Sequence, residues 1–155
     1  MTLNSQSITE VMSHEHSVCD QLFEDAEIAL ADGRNEAGAK LVRSFAAHLN
    51  HHFEMEEIIL FPAFEAVTGM AGGPTAVMRA EHQQIRGLLD QLSQELDAEN
   101  FEEVIAIGET LNILIQQHNM KEENMLYPMS DTQLAENRND ILGKLKSFEG
   151  RQHGA

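Results

Sequence analysis

The sequence has a single cysteine, Cys19, and no tryptophan. A lone cysteine excludes an intramolecular disulfide framework and any zinc module built on cysteine pairs. Positive charge is scarce: ten Lys and Arg stand against 26 Asp and Glu, a formal net charge of −16. Nucleic acid and anionic lipid are therefore not the expected partners, because both are held by clustered basic residues. No apolar run approaches the roughly 18 residues of a membrane span, and the first residues lack a secretory pattern. The expectation is a cytoplasmic protein with no membrane partner. Its 155 residues suit one domain, and 1–155 is read as one.

Histidine is what the chain has in excess. There are eight, of a side chain that binds transition metals and titrates near neutrality. Four long segments carry a helical apolar period, and none alternates as a strand does. The first runs from about Thr9 to Ala31, with the stripe Met12, His16, Cys19, Phe23, Ala26 and Leu30. The second runs from about Asn35 to Val67 through Leu41, Phe45, His48, His52, Glu56, Ile59 and Ala63. Pro62 inside it predicts a kink or an early stop near Phe61. After a loop at 69–73, Pro74 opens the third, with Met78, His82, Ile85, Leu89, Leu92 and Leu96. The fourth carries Ile107, Leu111, Leu114, His118, Glu122 and Met125; Asn100 with Glu103 is its expected cap and Pro128 its end. A weaker fifth helix, about 132–148, offers Ile141, Leu142, Leu145 and Phe148 to cover one end. The tail 150–155, with His153, is expected to fray. The pattern is all-α: an antiparallel up-down four-helix bundle over about 9–130, with a short C-terminal fifth helix.

The stripes repeat in a register of 66 residues, without a gap. The shift maps Met12, His16, Phe23, Ala26 and Leu30 onto Met78, His82, Leu89, Leu92 and Leu96. It maps His52, Glu56, Glu57, Leu60 and Pro62 onto His118, Glu122, Glu123, Leu126 and Pro128. A duplicated two-helix unit builds a bundle with an approximate two-fold axis.

Six residues on these stripes do not belong in an apolar core: His16, His52, Glu56, His82, His118 and Glu122. A buried carboxylate without a partner costs several kcal/mol or is neutralised. His52 with Glu56, and His118 with Glu122, are i,i+4 pairs, one turn apart on one face. In an antiparallel bundle all six can meet at one level. Four imidazoles and two carboxylates suit one or two transition metals, iron first, with manganese and zinc as competitors. Two carboxylates from opposite helices can bridge ions about 3.5 to 4 Å apart. The competing explanation is a metal-free network of buried His–Glu pairs, which accounts less well for the duplication.

The pattern His16, His52-x-x-x-Glu56, His82, His118-x-x-x-Glu122 resembles two copies of the signature of the hemerythrin-like, HHE cation-binding family. The flanks His52-Phe-Glu-Met-Glu-Glu-Ile-Ile-Leu-Phe-Pro and His118-Asn-Met-Lys-Glu-Glu-Asn-Met-Leu-Tyr-Pro are similar to it as well. The resemblance implies a left-handed four-helix bundle around a non-haem di-iron site with oxo or hydroxo and carboxylate bridges. Glu56 and Glu122 would bridge, and the four histidines would be terminal ligands. The family's marine oxygen carriers use five histidines, but Met78 stands where their additional third-helix histidine falls. The chain is closer to the symmetric four-histidine type of bacterial iron-centre repair proteins, though without their cysteine-containing N-terminal domain. A ferritin-like site is disfavoured, since no histidine here has a glutamate three residues before it.

His48 shares the second stripe but has Leu114 as its repeat mate, so it is either an extra ligand on one side or, the favoured reading, an outer group or a satisfied core histidine. His14 and His51 lie off the stripe and are expected to be exposed. Cys19 reads as a small core residue, and Met12 and Met78 as walls of the site. Phe61 and Tyr127 map onto each other and are expected to pack near its end, with a hydrogen bond from Tyr127 to a bound oxygen species as the alternative, and Glu54, Glu57 and Glu123 to be solvated. The expected function is binding of dioxygen, nitric oxide or peroxide at an open iron, in sensing, scavenging or iron handling under oxidative or nitrosative stress. The rival readings are a di-iron enzyme (a peroxidase, ferroxidase or nitric oxide reductase) and a metal-stabilised structural or signalling module.

Overall fold

A computed structural model describes residues 6–154, with side chains to residue 148, and every regular element among them is helical. Helix α1 (Ile8–Ala31) starts at Ser7, whose hydroxyl accepts the Glu10 N–H while the Glu10 carboxylate accepts the Ser7 N–H. This reciprocal cap satisfies two of the amides that a helix start leaves open. After the turn at 32–34 comes α2 (Asn35–Met55), then a π-helical turn (Glu56–Leu60), then α3 (Phe61–Thr68). Gly69, in the left-handed region at φ 71°, ends that rod. The second half repeats the plan as α4 (Pro74–Asp97), α5 (Phe101–Lys121), a π-helical turn (Glu122–Leu126) and α6 (Tyr127–Gln133); α7 (Arg138–Gly154) follows.

Several expectations are corrected here. Neither Pro62 nor Pro128 stops its helix. Each follows a π turn, closed by the Phe61 N–H on the Glu56 carbonyl and by the Tyr127 N–H on the Glu122 carbonyl. The prolines then sit in the first turn of the next α segment, where a missing N–H costs least. A π turn holds an extra residue, so it also resets the stripe. Leu60, Phe61 and Phe64 are buried where Ile59 and Ala63 were expected, and Leu126 and Tyr127 replace Met125, which is 57% exposed. Asn100 makes no side-chain cap; its amide donates to Glu95 Oε1 at 2.7 Å. The fifth helix begins at Arg138 because residues 132 and 133 finish α6, and it continues to Gly154 rather than fraying from residue 150. Ala155 and the His153 side chain lie outside the described residues.

Helices α1 and α2 form one antiparallel hairpin, α4 and α5 the other. The two-fold likeness extends to their joints. Asp131 on α6 accepts the Thr9 hydroxyl at 2.7 Å, and its repeat mate Glu65 on α3 accepts the Thr75 hydroxyl at 2.6 Å. Asp131 also accepts the Ile8 and Thr9 amides, placing a carboxylate on the positive end of α1. Two apolar clusters fill the bundle. One contains Met12, Met55, Phe61, Phe64, Met78 and Tyr127 and is covered by Ile141, Leu142 and Leu145 of α7, as expected. The other contains Cys19, Phe45, Leu49, Phe53, Ile85, Leu89 and Leu111. Residues of both clusters flank a buried layer of histidine and glutamate.

Candidate metal centre

That layer draws one helix face from each of the four long rods. His16 comes from α1, His52 from α2, His82 from α4 and His118 from α5, while Glu56 and Glu122 are the first residues of the two π turns. All six residues are 0–4% exposed. Their positions are about 24 Å from the turns at 32–34 and 98–100, measured as some 16 residues of helix rise. The sequence register thus brings together all six expected residues.

They gather as two groups, His16–His52–Glu56–Glu122 and Glu56–His82–His118–Glu122, each with its donor atoms within 4.8 Å of one another. In the first, His16 Nε2 lies 3.1 Å from both His52 Nε2 and Glu122 Oε1, and His52 Nε2 lies 3.6 Å from Glu56 Oε2. In the second, His82 Nε2 lies 3.2 Å from His118 Nε2 and 3.1 Å from Glu56 Oε1, and His118 Nε2 lies 3.1 Å from Glu122 Oε2. Each glutamate therefore turns one oxygen to each histidine pair. Donors about 2.1 Å from a common ion stand roughly 3.0 to 3.4 Å apart, so these spacings fit a metal. The polar bookkeeping agrees. Glu56 Oε1 and Glu122 Oε2 are buried without a hydrogen-bond partner, a costly arrangement unless a cation completes it.

Outer groups orient the rings. His16 Nδ1 lies 2.6 Å from Glu123, His82 Nδ1 2.6 Å from Glu57, and His118 Nδ1 2.8 Å from Glu81. An Nδ1–H donated outward leaves Nε2 free to face the centre. Arg86 grips Glu57 with two N–H donors, at 2.8 and 3.0 Å, and Lys121 bonds Glu81. A cleft of about 200 Å³ between α4 and α5 reaches Glu81 and His118, with Lys121 on its wall. Glu57 and Glu123 are thus corrected from solvated to working groups. Their signal was present in the sequence, since Glu57/Glu123 and Glu15/Glu81 are acids that recur in the 66-residue register beside the expected ligands.

Tyr127, expected to pack near the end of the site, reaches into it. Its fully buried hydroxyl donates to Glu56 Oε2 at 2.6 Å, lies 2.9 Å from Glu122 Oε1, and is 3.1 Å from His16 Nε2 and 3.4 Å from His52 Nε2. In an α-helix, residues five apart diverge; the π turn stacks Tyr127 over Glu122. His48 is buried on Glu15, with Nε2 3.3 Å from Oε1, and stands outside both donor groups. His51 is half-buried rather than exposed, its ring stacked on Phe148 of α7 and its Nε2 2.9 Å from the Phe148 carbonyl. His14 is exposed and Cys19 buried, as expected. Burial pushes the Cys19 thiol up, which makes it inert as a nucleophile.

Burial lowers the proton affinity of His16, but the Glu122, Glu123 and Glu56 carboxylates outweigh it and raise the pKa to about 9. His82 rises to about 11 by the same opposition, its partners being Glu122, Glu56 and Glu57. Burial and the Glu122 charge raise Glu56 to about 7. Burial also opposes the charge on Glu122, yet His118 and His16 hold it ionised, well below the usual range. In the absence of metal these shifts favour protons on His16 and His82; a cation would displace them.

A helical bundle with two adjoining His2Glu2 donor groups is a cation-binding protein by construction. The chain belongs to the hemerythrin HHE cation-binding domain family, whose family model matches residues 7–130. Comparison with curated proteins and with solved structures finds no match.

Proposed function

We propose that this chain is a cytoplasmic di-iron protein that binds a small ligand such as dioxygen, nitric oxide or peroxide, in sensing, scavenging or iron handling under oxidative or nitrosative stress. His16 and His52 would hold one ion, His82 and His118 the other, and Glu56 and Glu122 would bridge them. One observation carries the reading: each glutamate directs one oxygen toward each histidine pair. Mixed imidazole and carboxylate donors favour iron, with manganese and zinc as possible substitutes. When bound, the iron pair supplies electron transfer and a position for an exogenous ligand. The chain's own part is to hold the donors in place and keep water out. Met12, Met55 and Phe61 on one side and Phe53 and Ile85 on the other are 4% exposed or less. Glu123, Glu57 and Glu81 hold the outward-facing ring nitrogens, so the imidazoles meet the ions with Nε2.

The test is elemental analysis of protein purified without chelator or affinity-column metal, with an optical spectrum before and after azide. Two irons per chain and an azide-sensitive spectrum are expected. Zero or one metal after reconstitution with ferrous iron would overturn the reading in favour of a His–Glu network.

A further inference from the structure

Tyr127 is the side chain that this reading leaves without a role. Its repeat mate is Phe61, and the two rings occupy matching places: Phe61 lies 5.6 Å from the His82 ring, Tyr127 5.6 Å from the His16 ring. The difference is one oxygen atom. That oxygen touches four donor atoms of one group, at 2.6 to 3.4 Å. An outer hydrogen-bonding group meets one or two ligands from behind. A group that meets all four residues of one site at ligand-to-ligand spacing is placed as a further donor would be. The carboxylate oxygens it contacts, Glu56 Oε2 and Glu122 Oε1, are those turned toward His16 and His52. The two orphaned oxygens, Glu56 Oε1 and Glu122 Oε2, face the other half, where Phe61 offers none.

We infer that Tyr127 Oη is a fifth protein ligand of the His16/His52 ion, so that one ion has a phenolate donor and the other has none. The inference rests on the dinuclear reading above. On binding, the phenol O–H bond breaks, the Oη–metal bond forms and the proton leaves to solvent; no electron moves. Hard trivalent cations favour such an oxygen donor.

The chain supplies its own reporter. It has one tyrosine and no tryptophan, so its near-ultraviolet tyrosinate signal belongs to Tyr127 alone. Metal-free protein is titrated with zinc, which is colourless and redox-silent, and bound zinc is counted in the same samples. The expected result is two zinc ions per chain and one tyrosinate difference signal per chain, at a pH where free tyrosine is protonated. Ferric protein is expected to show a visible phenolate-to-iron band that disappears in Tyr127→Phe, which copies the residue already tolerated at position 61. Two bound ions with the tyrosine still protonated would overturn this inference and leave the dinuclear centre standing. Fewer than two would overturn both. If Tyr127→Phe does not fold, the zinc titration of the unaltered chain decides.

Discussion

The two halves of the centre match in their inner donors and differ in what surrounds them. Around His82 and His118, both outward carboxylates are neutralised, Glu57 by Arg86 and Glu81 by Lys121. Around His16 and His52, the same register positions hold Asp20 and Met55 instead of the two cations. Glu123 on His16 makes no ion pair with Lys or Arg among the described residues. Glu15, the mate of Glu81, lies against His48, and His52 Nδ1 has no hydrogen-bond partner. A carboxylate left uncompensated draws more strongly on the ring proton and makes the imidazole a better donor. Duplication therefore explains why there are two donor groups, and divergence in the outer layer gives each group a different field.

The largest effect is expected where the halves share a residue. Glu122→Ala removes an oxygen from each group and leaves His16 and His118 without a carboxylate they both contact. Metal content is expected to fall from two ions per chain to below one. A variant that keeps one ion at full occupancy would show that the halves are independent, and that Glu122 serves only one.

The outer layer offers a subtler contrast. Arg86→Gln releases Glu57 from its guanidinium while leaving the carboxylate on His82. An uncompensated Glu57 makes His82 the better donor; outer partners of metal-bound histidine are worth about 10- to 100-fold in metal affinity, and a gain approaching that range is expected in one of the two ions. Asp20→Asn, at the repeat position, touches no partner of His16 and is expected to leave both affinities within about twofold. Stepwise zinc titration separates the two. Equal changes in both variants, or a loss in Arg86→Gln, would erase the proposed asymmetry.

The metal-free protein should show the contrast as a pH dependence. His16 and His82 have folded pKa values, about 9 and about 11, above the usual 6.5. A raised histidine stabilises the fold fully below the unfolded value, and that contribution disappears as pH rises through the folded one. Stability of the metal-free chain, measured by urea unfolding, is therefore expected to decline from pH 6.5 to pH 11. His52 is pulled down, first by burial and then by the His16 charge, and contributes nothing in that window. With two ions bound, the decline should disappear between pH 7 and pH 9, because metal has replaced the protons. A metal-free protein equally stable at both ends would contradict the protonated layer.

The six inner residues were legible because polar side chains on an apolar stripe, recurring at 66 residues, have few other uses. The carboxylates Glu57 and Glu123 recur in the same register but read as surface, since a period of 3.6 turns them away from Glu56 and Glu122. The contact of the Tyr127 hydroxyl with Glu122 and the continuation of the second-half rod past Pro128 are not legible, for one reason. Periodicity assumes an unbroken α-helix, and each rod inserts a π turn at the bridging glutamate. No single residue type announces that turn.

The register reset can itself be tested, with the smallest effects of the series. An unbroken α-helix buries Met125 and turns Leu126 outward; the π turn reverses them, leaving Met125 57% and Leu126 1% exposed. Leu126→Ala is expected to cost about 2 to 5 kcal/mol as a buried large-to-small change. Met125→Ser should stay within about 0.5 kcal/mol, as a surface substitution does. In the other half the same reset leaves Ile59 half-buried, packed against the cluster that α7 covers, so Ile59→Ser should cost more than Met125→Ser. Urea midpoints of these three variants in metal-free protein give the order Leu126, Ile59, Met125. If Met125 proved costlier than Leu126, the α-register would hold through Glu122, and the stacking that brings the Tyr127 hydroxyl onto Glu122 would be lost with the π turn.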